Sequence, residues 1–291
     1  MSDLFHVYKY QALGNDMLVI DPLRFSPRLT PEIAHLLCDR HFGVGADGIC
    51  YGPLSDNDAY PAMHFFNPDG SQAEKSGNGL RIFARYLVDA GYVTVRQFGI
   101  SLGGADAWVQ QLDDAAQRFA ITMGKVSFMS DDIPMSGQSR EVVAEGITLG
   151  ETPLRITAVN VGNPHCVIFS DDLAAITDLG PVLETHPAFP NRTNVQLVQV
   201  LDPNTIHITI WERGAGYTLA SGTSACATAA ASVRNGFCRS PVTVQMKGGT
   251  AVVTLDQQWQ ASLAGSVTAV FQGQLADDLV HQLSTFISTD Q

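Results

Sequence analysis

The chain has 291 residues, enough for one large domain or for two of ordinary size that each bury a core. A net charge of −12 and a pI near 4.9 oppose a nucleic-acid role, because phosphate binding is driven by Lys and Arg clusters that this sequence lacks. Hydrophobic content of 45% with a mean hydropathy of +0.06 describes a soluble globular chain, and no apolar run approaches the roughly 18 residues of a membrane span.

From the start, Phe5 to Leu13 alternates and is rich in aromatics, then breaks at Gly14-Asn15-Asp16 before Met17–Ile20, which reads as a hairpin. The absence of a basic n-region and a long apolar stretch in Met1–Val7 leads us to expect a cytoplasmic protein rather than a secreted one. Thr30-Pro31-Glu32 starts a helix with a threonine cap and proline in the first turn, running to about Asp39. Gly43–Gly48 is a tight loop and Ile49–Tyr51 extends. Met63–Phe66 is a strand closed by the turn residues Asn67-Pro68-Asp69-Gly70. Leu80, Phe83, Ala84 and Leu87 recur at helical spacing within Gly79–Val88. Strand-like segments follow at Phe98–Leu102, Arg118–Met123, Glu141–Val143, Leu154–Val161, Cys166–Phe169, Val195–Val200 and His207–Trp211. Ala225–Val233 is almost entirely small and apolar, so it predicts a helix buried on all sides. Thr243–Gln245, Thr250–Leu255 and Trp259–Phe271 complete the strands.

Two stretches repeat each other. Ser76-Gly77-Asn78 and Ser221-Gly222-Thr223 each lead into a helical run that closes on a glycine fifteen positions later, Gly91 and Gly236. Gly14-Asn15 and Gly162-Asn163 recur 148 residues apart, against 145 for the serines. The shared offset predicts a duplicated half. The fold class expected is α+β, with two pseudo-symmetric domains over 1–130 and 131–291, each a mixed β-barrel-like sheet wrapped around a central helix. The end of the chain is expected to pack back on the N-terminal half.

A glycine-bracketed serine at a helix start offers backbone N–H groups and the positive end of the helix dipole, which suit a carboxylate. Taken singly, such a serine reads as an ordinary N-cap; two copies with matching upstream loops favour a ligand held between equivalent loops. Asn15, Asn67, Asn163 and Asn194 lie in turn-like contexts, where asparagine is common for backbone reasons alone. Glu212 and Arg213 at a strand end fit a zwitterion clamp, Arg for a carboxylate and Glu for an ammonium, or else a surface ion pair. His165 can transfer a proton or be merely structural. The five cysteines, Cys38, Cys50, Cys166, Cys226 and Cys238, show no C-x-x-C spacing and read as buried free thiols rather than a metal or disulfide set. No pyridoxal phosphate, metal or nicotinamide cofactor is expected.

Taken together, Leu13–Asp16, Asn67-x-Asp-Gly-Ser71, Gly77-Asn-Gly79 before Arg81-x-Phe-Ala-Arg85, Gly162–His165, Asn191–Asn194 and Trp211–Gly216 resemble the diaminopimelate epimerases over nearly the whole chain. The resemblance implies a cofactor-independent isomerase in which two cysteines flank the substrate Cα, one removing the proton and the other returning it. Those cysteines fall on Ser76 and Ser221. The residues implied to hold the distal amino acid end are Asn67, Asn163, Asn194, Glu212 and Arg213. Asn15 and the backbone at Gly77, Asn78, Gly222 and Thr223 are implied to hold the reacting carboxylate. Gly48, where the family has glutamine, and Tyr217, where it has glutamate, depart as well.

A hydroxyl is far more basic than a thiol and does not ionise near neutral pH without an adjacent base. The expected acid–base groups are therefore His165 and Glu212, with Ser76 and Ser221 as relays or orienting groups. The expected partner is a small-molecule amino acid, with no nucleic acid or membrane and a homodimer left open. Two alternatives stand beside the epimerase reading. One is an allylic isomerase or tautomerase of unsaturated acids, drawing on Lys75, Glu74 or His165; the other is a non-catalytic amino acid binder.

Overall fold

The computed structural model describes residues 4–54, 60–73, 76–102, 106–150 and 152–287. Glu74 and Lys75 lie outside them. In chain order the first elements are β1 (His6–Ala12), β2 (Asn15–Ile20), α1 (Pro31–Cys38), β3 (Ile49–Leu54), β4 (Ala62–Phe66), β5 (Gln72–Ala73), α2 (Gly77–Asp89), β6 (Gln97–Ser101), β7 (Asp106–Gln111) and β8 (Arg118–Lys125). There follow β9 (Glu145–Leu149), β10 (Thr152–Asn160), β11 (Pro164–Phe169), α3 (Ile176–Glu184), β12 (Asn194–Asp202), β13 (Thr205–Glu212), β14 (Gly216–Thr218) and α4 (Gly222–Arg234). The chain closes with β15 (Val242–Met246), β16 (Gly249–Leu255), β17 (Gln260–Ser266), β18 (Thr268–Gln274) and α5 (Asp277–Ile287). It divides into two compact units, residues 1–121 with 266–291, and residues 122–265.

In the first unit the strand order is β18-β1-β2-β3-β4-β6-β7-β8, with β5 on β4; β2/β3 and β4/β6 run parallel and the other pairs antiparallel. The second unit has the order β9-β10-β11-β12-β13-β15-β16-β17, with β14 on β13; here β11/β12 and β13/β15 are the parallel pairs. The two pairing patterns are the same. Each sheet has one helix packed on several of its strands, α2 on β1, β2, β3 and β7, and α4 on β10 to β13, β15 and β16.

Local chemistry accounts for the helices that the sequence predicts. Thr30 caps α1 by accepting the Ile33 N–H, with Pro31 supplying a pre-set first residue. Leu80, Phe83, Ala84 and Leu87 of α2 are fully buried. In α4, Ala225 to Ser232 is buried throughout, as its uniformly small and apolar composition requires. A second apolar layer in the first unit joins α1 to α5 through Ile33, Leu37 and Leu283.

Several elements differ from the sequence reading. Trp259–Phe271 is two strands, β17 and β18, broken at the buried Val267. Glu141–Val143 forms no strand and only an isolated bridge from Glu141 to Met129. Helix α3 carries no side-chain cap at Ala175 and has Pro181 inside it, so local signals oppose it; packing of Ile176 and Leu183 against Val195 and Leu197 holds it. Among the described residues no helix is long and apolar enough to cross a membrane.

Candidate active site

In the second unit the site residues gather at one end of three adjacent strands. His165 lies at the start of β11 and pairs in register with Asn194, the first residue of β12; Val195 pairs with Trp211, one residue before the end of β13 at Glu212. The chain then turns through Arg213–Ala215, closed by the Ala215 N–H to the Glu212 carbonyl at 3.1 Å, and runs through β14 to Ser221. Ser221 is extended (φ −145°, ψ 130°) and caps α4, its Oγ accepting the Ser224 N–H at 3.4 Å. Helix geometry leaves the first N–H groups, at Gly222 and Thr223, without intrahelical partners.

Glu212 is partly buried. Burial raises its pKa above the ordinary carboxylate value, opposed by the nearby Ser221 and Thr218 hydroxyls. Such a carboxylate is poised to take and return a proton nearer neutral pH than an exposed one.

Asn194 is 5% exposed and ties three segments together: its Nδ2 donates to the Pro164 carbonyl at 2.8 Å and its Oδ1 accepts the Arg213 N–H at 3.0 Å. The Arg213 guanidinium donates to the Asn191 carbonyl at 3.2 Å. One amide hydrogen and one lone pair of Asn194 remain for a ligand.

His165 does not match its expected role in proton transfer. It has zero exposure, and burial, opposed by the neighbouring Gln196 side chain and aided by the Arg213 charge, pushes its pKa down to about 3. Its Nε2 pairs with the Asn163 Oδ1 at 2.8 Å. A ring held neutral in this way is a weak base, and what it does here is fix the Asn163 side chain.

The first unit repeats the plan. Asn15 opens β2 and its Nδ2 donates to Asp47 at 3.0 Å. Asp47 is also paired with Arg40 at 2.7 Å, and Arg40 and Lys9 both pair with Asp16 at 2.6 and 2.8 Å. Burial opposes ionisation of Asp16, but these two cations prevail and hold its pKa at about 2. Asn67 follows β4 and donates to the Ser71 Oγ at 2.9 Å. Ser76 (φ −129°, ψ 117°) caps α2 by accepting the Gly79 N–H at 3.1 Å, ahead of Gly77 and Asn78. Asn78 is 6% exposed and its Oδ1 accepts from Arg81 at 2.6 Å.

The sequence profile of diaminopimelate epimerases matches residues 7–129 and 157–270. "Diaminopimelate epimerase 2" of Nostoc sp. PCC 7120 is 49% identical over 94% of this chain and 96% of its own length. The diaminopimelate epimerase of Pelotomaculum thermopropionicum is 41% identical over 92% and 98%. The chain belongs to the diaminopimelate epimerase family. Among solved structures, a PhzF-family phenazine biosynthesis protein of Bacillus anthracis superposes with a TM-score of 0.70 at 16% identity, covering 94% of this chain and 99% of that one. A probable proline racemase of Agrobacterium radiobacter K84 gives 0.65 at 15% identity, over 94% and 93%. These two share the fold. The protein is an epimerase-like isomerase of the diaminopimelate epimerase family.

None of the five cysteines stands at an exposed position. All are buried, and burial pushes Cys166 and Cys38 up to about 12 and raises Cys50 and Cys238. At Gly48 the fold has closed around the missing side chain: a Cβ there would stand 2.8 Å from the Phe66 carbonyl oxygen. Tyr217 is 39% exposed on β14, with the Lys247 ammonium 5.7 Å from its ring centre. Two polar residues of the second unit escaped sequence reasoning. Gln196 donates to the Ser224 Oγ at 3.0 Å from mid-strand β12, and Glu184 grips the β13–β14 turn from the end of α3. No local motif marks either.

Proposed function

We propose that the protein moves a proton at the Cα of a diaminopimelate-like amino acid, with Glu212 as the acid–base group and Arg213 as a carboxylate clamp. The observation that carries this is the partly buried Glu212 at the end of β13, its pKa raised by burial, next to Arg213 and near the serine that caps α4. The curated relatives named for diaminopimelate support the substrate class.

In the step, the Glu212 carboxylate accepts the Cα–H proton and the electron pair delocalises into the substrate carboxylate. The N–H groups at Gly222 and Thr223 and the α4 dipole stabilise that charge. Return of a proton by Glu212 to the same face gives exchange; delivery of a proton from solvent water to the opposite face, with Glu212 giving its own proton back to solvent, gives the epimer. Ser221 caps α4 near Glu212 without ionising. Asn163 and Asn194 supply neutral hydrogen bonds to the substrate, with His165 holding Asn163 in place. Five cysteines held in no disulfide suit a reducing compartment such as the cytoplasm.

The test is incorporation of solvent deuterium at Cα of LL- and meso-diaminopimelate, followed by mass spectrometry. The native protein is expected to exchange slowly, and Glu212→Gln to lose about 10²-fold or more of that rate. Binding without exchange in the native protein overturns the isomerase step and leaves an amino acid binder.

A further inference from the structure

Helix α3 ends at Glu184, a carboxylate only 4% exposed. Its Oε2 accepts the Trp211 indole N–H at 2.7 Å and its Oε1 accepts the Gly214 amide N–H at 2.8 Å. The Arg192 guanidinium pairs with the same Oε1. Trp211 immediately precedes Glu212-Arg213 and Gly214 immediately follows it. One buried carboxylate therefore holds the chain on both sides of the two residues that carry the proposed chemistry, while bonding to neither.

A turn of this length needs no such anchor. Its own backbone bond, Ala215 N–H to the Glu212 carbonyl, already closes it. Burying a carboxylate is costly unless its oxygens are filled by charge-assisted donors, and here they are filled by groups flanking the site. The helix is also shaped to the anchor. Gly180, one turn earlier on α3, lies against the root of the Trp211 ring, where a Cβ would stand 2.5 Å from its Cγ. Only glycine lets the indole lie flat on α3 with its N–H at Glu184.

We propose that Glu184 is a positioning residue for the site: it fixes the backbone at Trp211 and Gly214 so that Glu212 and Arg213 meet the substrate in one geometry. This rests on the reading of Glu212 and Arg213 given above. The perturbation is Glu184→Gln, which keeps the shape but leaves one acceptor oxygen for the donors of Trp211, Gly214 and Arg192 and sets an amide NH₂ against at least one of them.

Calorimetry with meso-diaminopimelate, at a temperature where each variant is fully folded, reads the effect. Glu184→Gln should raise Kd about tenfold or more, with the Cα exchange rate falling as well. Trp211→Phe removes one donor and leaves the carboxylate to Gly214 and Arg192, so Kd should rise only a few-fold. Adding Glu184→Gln to Trp211→Phe relieves the donor conflict, so the double variant should bind close to Trp211→Phe alone. A mere helix tie would lower Tm and leave Kd and this rescue unmoved.

Arg213→Ala separates the two readings. A large loss there beside unchanged binding in Glu184→Gln overturns the role of Glu184 alone. Unchanged binding in Arg213→Ala overturns the clamp and the role of Glu184 with it. If Glu184→Gln does not fold, Trp211→Phe decides: weakened binding supports the proposal and unchanged binding overturns it.

Discussion

Replacing Asn194 by aspartate should give the protein a pH-dependent weakness that the parent lacks at this position. Asn194 is 5% exposed and gives its Nδ2 to the Pro164 carbonyl at 2.8 Å while accepting the Arg213 N–H at 3.0 Å. Aspartate keeps the second bond. Its other oxygen, when ionised, faces the Pro164 oxygen with no hydrogen between them. Losing that bond, leaving a buried carbonyl unpaired and burying a charge should cost about 3–5 kcal/mol. When protonated, the acid O–H can donate to Pro164, and the cost should fall to about 1 kcal/mol.

The folded-state pKa of that carboxyl is therefore raised above its unfolded value of about 3.9. A raised pKa means that the stability is fully present below about pH 4 and is lost as pH rises toward the folded value, at about 1.4 kcal/mol per pH unit. The difference between the two costs, about 2–4 kcal/mol, spreads the loss over about one and a half to three pH units. The assay is urea unfolding of parent and variant at matched pH values from about 4.5 to 8, with the difference in free energy plotted against pH. Asn194→Ala serves as the control, costing about 2–4 kcal/mol with no slope. A flat difference for Asn194→Asp, parallel to the alanine variant, refutes the buried Asn194–Pro164 bond.

Restoring thiols by Ser76→Cys with Ser221→Cys should raise Cα exchange on diaminopimelate, since thiols at helix N-termini ionise readily, and should cost about 1 kcal/mol per lost cap by denaturant unfolding. Gly180→Ala should destabilise the second unit by about 1–3 kcal/mol and weaken the near-ultraviolet circular dichroism of Trp211, because the added carbon stands 2.5 Å from the indole Cγ. Asp16, held at about 2 by Arg40 and Lys9, contributes stability that is present above pH 4 and lost as pH falls toward 2. With Arg40 half exposed, solvent screening limits the contribution to about 1 kcal/mol, so Asp16→Asn should flatten the acid limb of the stability curve by that amount.

Much of the protein was legible in order along the chain. The Thr30-Pro31 start of α1, the serine caps of α2 and α4, the all-small interior of α4 and the paired Ser-Gly motifs are local signals. Each of them acts through neighbours within one or two helical turns, so the residue types suffice. The family motifs likewise located the polar residues around His165, Asn194 and Glu212. What those residues do was settled elsewhere. The burial of His165, which leaves it a weak base, depends on β12 running beside it in parallel, and the two hydrogen bonds of the Asn194 side chain reach residues 19 and 30 positions away. Helix α3 forms against its own cap and proline signals because β12 offers an apolar face, and only then does Glu184 reach a turn 30 residues further on. Hydrogen bonds and burial of this kind are sums over long-range neighbours. The same side chain is a base, a tie or an anchor according to which strands pack around it.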